Sequence, residues 1–369
     1  MRRFSHFLFE AYEPEQAAQN PLDPRRYQTK ATDACLSAVA DGLTVAEGAQ
    51  TLMDLGLLRK ENGRLLFNSP VFLREDAPVL RAWMETEAAR LVDLVEQDLL
   101  TPLRRLCGQI LNGVSVALNL YHIFCGMILD GAMFDALTAG GALAVSRPHI
   151  SGLDYLWTVY EDCASLAALS DGLLCSYNRL TDGVCALQSF GDARGIRFDF
   201  YRLFRLVEHD DVPPRFQEAA TLLACLDALD LAACKALVLR ASRALAAGLE
   251  CEPTALTLLE HFGYARDGKL CVPVYGPEEL RIAEEMAAVA IKRLAPAVCE
   301  VLERCDDTLS ITEVAHGVNR LELHNELYHL LFGAINEALV SRGLVAAPQD
   351  RPEEGRYEKS VQISEPFCP

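Results

Sequence analysis

The segment Leu120-Tyr121-His122-Ile123-Phe124-Cys125-Gly126 returns about 200 residues later as Leu327-Tyr328-His329-Leu330-Leu331-Phe332-Gly333. What precedes each copy also repeats in kind and in order. In the first, a helix from about Thr29 stops at Asp41-Gly42, and a short helix closes at Leu55-Gly56. A hairpin follows, turning on Asn62-Gly63, then Pro70-Val71-Phe72 and a long helix from Pro78. In the second, a helix over 231–247 stops at Gly248, and a short helix closes at Phe262-Gly263. Its hairpin turns on Asp267-Gly268 and leads through Pro273-Val274-Tyr275 to a long helix opened by Pro277. Glycine just past a helix and Asn-Gly or Asp-Gly between apolar runs are the local signals used here. Matches in one order over this length indicate a duplicated module.

At 369 residues the chain has room for roughly two or three domains. Leu and Ala dominate and β-branched runs are scarce, which predicts a mostly α fold with the two hairpins as its only strands. The predicted divisions are an irregular segment over 1–26, module one over 27–148 and a helical connector over 149–214. Module two over 215–348 and a polar, mobile tail over 349–369 complete them. Thr44 and Glu47 fit a capping box for the short helix. Thr101-Pro102 and Pro296 are expected to interrupt their long helices. Ser151 to Leu169 reads as a helix capped by Ser151.

Charge and cysteine usage narrow the function. The net charge of −18 opposes sequence-independent attraction to nucleic acid or anionic lipid. Thirteen cysteines form no Cys-x-x-Cys, and most sit in apolar helical runs. Buried thiols in a reducing cytoplasm are the expectation, with no disulfide frame, zinc site or cofactor. The start, Met1 to Glu10, carries two arginines but too short an apolar run for a signal peptide. The apolar stretch 106–145 lacks Lys and Arg. Asn112, Asn119, His122, Asp130 and Asp135 interrupt it, which suits a core helix better than a membrane span.

Helix, glycine turn, short helix and tight hairpin follow the order of a winged helix-turn-helix. The run Ala38 to Glu47, closing in Leu55-Gly56-Leu57-Leu58-Arg59, resembles the MarR-type winged-helix regulators. Gly263-Tyr264-Ala265-Arg266 before Asp267-Gly268-Lys269 resembles their wing. The resemblance covers about two-thirds of the chain and rests on hydrophobic order. It implies two winged-helix modules in tandem, a dimer-like pairing within one chain, and DNA contact through the second helix of each motif. That second helix has no Lys or Arg from Thr44 to Leu55, and 250–263 holds Glu250, Glu252 and Glu260. Phosphate repels such helices, which leaves the wings as DNA candidates: Arg59, Lys60 and Arg64, then Arg266 and Lys269.

Other candidates for chemistry are few. Tyr121, His122, Tyr328 and His329 are polar groups suited to a small ligand in a pocket between the copies, or to internal hydrogen bonds. Arg147 and His149 precede the predicted connector helix, where an anion could sit. Glu208-His209-Asp210-Asp211 has metal-ligand chemistry without identifiable distant partners. No glycine-rich phosphate loop or catalytic motif occurs. The expectation is a non-catalytic regulatory or scaffold protein that binds a protein partner or a small ligand, without a membrane. The alternatives are a MarR-like regulator using its wings, and an enzyme with an unrecognised pocket.

Overall fold

The computed structural model describes residues 2–365 except 13, 18, 45, 209 and 226–229. It divides into two compact units. The first comprises Met1–Asp93, Met133–Gly172 and Arg293–Ile335. The second comprises Leu94–Ala132, Leu173–Lys292 and Asn336–Pro369.

In the first unit, β1 (Phe4–Glu10) pairs antiparallel with β6 (Asp154–Glu161). Beyond β6 lie β4 (Val71–Phe72), which is parallel to it, and β5 (Arg147–Pro148), which is antiparallel. The hairpin of β2 (Leu58–Glu61) and β3 (Arg64–Phe67) forms a separate two-stranded sheet. Helices Lys30–Ala40 and Ala49–Asp54 precede it. Together they bury Leu36, Leu52, Phe67, Tyr155, Trp157 and Val159 in one core on one face of the large sheet. The opposite face meets helices Met133–Ala139 and Arg320–Ser341. There Phe134 rests on Tyr328, and the Tyr160 hydroxyl donates to Glu326 at 2.5 Å.

The second unit repeats the plan. Strands β7 (Ser176–Thr181), β8 (Cys185–Gly191) and β13 (Gly355–Ile363) are antiparallel neighbours. The hairpin is β9 (Ala265–Arg266) with β10 (Lys269–Leu270). Strand β11 (Val274–Tyr275) runs parallel to β13, and β12 (Asp350–Arg351) pairs antiparallel with it. Helices Leu231–Ala246 and Pro253–His261 cover one face, where Val238, Leu258, Phe262 and Tyr264 pack with Leu187 and Val361. On the other face, Tyr121 donates to the Phe190 carbonyl at 3.0 Å, and Gly126 lies over the Phe190 ring.

Details of the two helix–helix–hairpin segments correspond. Gly42 N donates to Val39 O and Gly248 N to Leu245 O, each at 3.0 Å. Asn62 and Gly63 have φ of 49° and 80°, and Asp267 and Gly268 have 51° and 73°, the left-handed pair that a two-residue hairpin turn requires. The Val159 amide donates to Pro70 O and the Val361 amide to Pro273 O, each at 2.9 Å. The Leu-Tyr-His helices are exchanged, however. Tyr121 and His122 belong with the module around Leu231–Tyr275, and Tyr328 and His329 with the module around Lys30–Phe72.

The mostly α expectation is overturned. Helix makes up 54% and strand 16%, in four sheets, of which one has four strands and one has five. The expected helix from Ser151 is instead strand β6, and the only helix there is Ala164–Ser170. Both faces of β6 are buried, so its sequence shows no polar alternation and reads as an apolar run. The expected irregular start holds β1, the helical connector holds β7 and β8, and the polar tail holds the central strand β13. Ser360 and Gln188, buried polar residues of that sheet, answer each other by a hydrogen bond.

Of three local expectations, two fail, while at Pro102 the long α-helix does give way to a π-helical turn. The short helix begins at Ala49 after Gly48 at φ +78°, without a cap from Thr44 or Glu47. Pro102 falls in the first turn of helix Leu100–Cys107, just after the π-helical turn Val95–Leu99. That wider turn changes which amides are bonded ahead of the proline. Pro296 lies within the uninterrupted helix Pro277–Thr308.

Candidate interaction surface

The basic residues of the two hairpins differ in their freedom. Arg59 is tied down: it donates to Phe67 O at 2.9 Å and to the His316 carbonyl. Lys60, Arg64, Arg266 and Lys269 are exposed. Each hairpin also has acid in or beside it: Glu61 lies 3.6 Å from Arg59, and Glu260 accepts from the turn amide of Gly268 at 3.0 Å.

Tyr121, His122 and Tyr328 are buried, and His329 is half-buried. His122 is 3% exposed, with the Tyr275 ring edge-on at 5.9 Å. Burial pushes its imidazole down to about 3, so it is neutral. Tyr275 in turn donates to Asn119 at 2.9 Å. His329 bonds through Nδ1 to the Asn325 carbonyl at 3.1 Å, and its ring meets Phe134 and Phe9. Neighbouring helix positions point about 100° apart, which separates the Tyr and His of each pair.

Arg147 and His149 sit on and just after β5, and strand β6 follows where a helix N-terminus was expected. Arg147 Nε pairs with the buried Glu322 at 2.7 Å, and its Nη2 donates to Gly56 O at 3.0 Å. His149 stacks on Tyr155 at 3.7 Å and bonds the Tyr155 carbonyl at 3.1 Å. Its Nδ1 would lie 2.7 Å from a Cβ at Gly56, so the glycine is required by this close approach. Ser151 turns the chain by accepting from Leu153 N at 3.3 Å. His209 lies outside the described residues. Among those described, no group of three or more His, Cys, Asp or Glu is placed to hold a metal ion.

Several other buried polar clusters are internally answered. Arg197 donates to the carbonyls of Ser176, Ser189 and Asp192, at 2.8, 3.0 and 2.6 Å. Asp199 accepts from Ser189 at 2.5 Å and from Asn178 at 2.9 Å. Glu161 is held between Arg2 at 2.8 Å and Arg74 at 2.6 Å. In the first unit, His6 accepts from the Trp157 indole at 3.2 Å and faces Asp33 at 3.1 Å, which fixes its tautomer. These are fold-holding networks. An open groove of about 560 Å³ runs between helices Ala77–Leu94 and Pro277–Thr308, lined by Trp83, Ala82, Val301 and Leu309.

The surface left unanswered is β1. Asp162 N donates to Arg3 O at 2.8 Å and Ala11 N to Asp154 O at 2.9 Å. With the register Phe4↔Glu161 to Glu10↔Tyr155, these bonds direct Ser5, Phe7 and Phe9 toward β6. The backbone groups of Phe4, His6, Leu8 and Glu10 therefore face away from the sheet. Asp33 takes the Phe4 amide at 3.4 Å. Among the described residues, no hydrogen bond reaches the outward groups of His6, Leu8 and Glu10. Phe7 is 49% exposed and Phe9 38% exposed on one face of this edge. Phe7 abuts Tyr160 at 5.8 Å and Phe9 stacks on His329 at 5.6 Å.

Soluble proteins blunt such edges with charge, proline, brevity or cover. Strands β4, β5, β11 and β12 are two residues long. The other long edge, β7, carries the exposed Arg179 and lies beside helix Phe200–Glu208 through the Asn178–Asp199 bond. Strand β1 has seven residues and neither lysine, arginine nor proline. In the sequence it lies within a start whose apolar run is too short for a signal peptide and which carries no binding motif. The signal that was present is the alternation of Phe7 and Phe9 around Leu8. No family model, curated protein or solved structure matches the chain.

Proposed function

We propose that this is a non-catalytic regulatory or scaffold protein that acts by binding another protein chain, in extended form, at the edge of β1. The observation that carries this reading is the seven-residue edge with outward backbone groups and two exposed phenylalanines. An added strand gains main-chain hydrogen bonds from His6 to Glu10 and covers the phenyl rings. Of the candidate ligand residues, Tyr121, Arg147, His149 and His329 make hydrogen bonds within the fold, while His122 Nε2 is buried without one.

A regulator contacting DNA through its wings keeps four exposed basic side chains, Lys60, Arg64, Arg266 and Lys269, on a chain of charge −18. Fluorescence anisotropy separates the two readings. Labelled heptapeptides with alternating aromatic residues are expected to bind, and to lose binding to a Phe7→Ser/Phe9→Ser chain. Mixed duplex DNA is expected not to bind, even at low salt. DNA binding that weakens steeply with salt and disappears when the four basic residues become Ala overturns the proposal.

A further inference from the structure

We infer that the chain occupying the β1 edge is a second copy of this protein, joined β1 to β1 in antiparallel register about Leu8. The inference rests on the protein-binding reading of that edge and names its partner.

The edge is complementary to itself. Only even-numbered residues point their backbone groups outward, so an antiparallel partner must set even residues opposite even ones. Centring a two-fold axis on Leu8 places Leu8 opposite Leu8, and His6 opposite the second copy's Glu10. Each such pair can exchange both of its hydrogen bonds. Phe7 then stands opposite the second copy's Phe9 on the same face. Cross-strand aromatic pairs of this kind are among the stabilising ones. No two like charges oppose one another in this register, since Glu10 is the only acidic residue of the strand and meets His6. The pairing ends naturally at His6, because Asp33 already holds the Phe4 amide.

An axis perpendicular to the sheet joins the two four-stranded sheets into one and leaves neither β1 edge open. The contact is isologous and closed, so it stops at a dimer instead of growing into a fibre. A shift by one residue would set inward-facing groups against outward ones, and a shift by two would leave one phenyl ring of each pair without an aromatic partner. The sequence Phe7-Leu8-Phe9 is nearly symmetric about its centre, as this geometry requires.

The test is sedimentation velocity of the full chain over a wide concentration range, together with residue-resolved hydrogen exchange. A doubling of mass is expected as concentration rises. The amides of His6, Leu8 and Glu10 should gain protection in step with it. Those of Ser5, Phe7 and Phe9, bonded to β6, should stay protected throughout. Leu8→Pro removes one outward donor and no β6 bond, so it is expected to return the mass to that of a monomer. Phe7→Glu, which faces solvent in the single chain, is expected to do the same without loss of circular dichroism. A dimer that persists in both variants refutes the β1 contact. A chain that stays monomeric yet binds the alternating-aromatic heptapeptides refutes self-pairing and leaves the protein-binding reading standing. A monomer that binds none of them removes both.

Discussion

His122 is buried and His149 half-buried, so the charged form of each loses solvation. Burial lowers His122 from 6.5 to about 3, and burial with Arg147 nearby lowers His149 to about 4. His6 is also lowered, first by burial, against the opposing pull of Asp33. A histidine lowered on folding contributes stability that is full above its unfolded value and lost as pH falls through the folded one. The urea midpoint is therefore expected to fall from pH 6.5 downward, and His122→Leu to soften that fall. Glu313 has the opposite sign. Burial, with Asp76 nearby, raises its carboxyl well above the ordinary value of 4.5. Its contribution is full below that value and lost as pH rises, so Glu313→Gln is expected to flatten the alkaline side of the same profile. Urea titrations at a series of pH values read both effects. Sterics make a third claim at this scale. A Cβ on Gly191 would lie 1.9 Å from the Arg356 carbonyl, between β8 and β13. Gly191→Ala is expected to cost about 3 kcal/mol in chemical denaturation, since neither backbone can give way.

The hairpins and helices before them were legible in the sequence because their determinants are local. Gly42, Gly56, Asn62-Gly63 and Asp267-Gly268 need no distant partner to favour positive φ. The large sheets were not legible, because β6 and β8 are buried on both faces and lose the alternation that marks a strand. Their register is set by partners far along the chain, such as Phe4 opposite Glu161 and Ile363 opposite Cys185. The first hairpin offers a test at this scale. Arg59 fixes the hairpin to Phe67 and His316, so Arg59→Ala is expected to cost about 2 kcal/mol in urea denaturation. Lys60→Ala and Arg64→Ala, which remove exposed side chains, are expected to leave the midpoint within about 0.5 kcal/mol.

Across the whole molecule, the charge of −18 sets the salt dependence of any association. Two copies repel at long range while β1 edges attract at contact, so added salt is expected to tighten the dimer. Sedimentation in a salt series reads this directly, and weakening with salt would point to an ion-paired contact elsewhere. The sequence alone carried the two helix–helix–hairpin segments, their turns, the charge balance and the lack of basic residues in the second helices, because each follows from neighbouring residues or from composition. Only the tertiary structure decided that each Leu-Tyr-His helix packs with the other copy's module, and that residues 154–161 and 355–363 are strands. It alone showed Arg59 engaged and Phe7 and Phe9 bare. Those outcomes depend on which distant surfaces meet, and burial against a distant partner outweighs the small local preferences that a sequence displays.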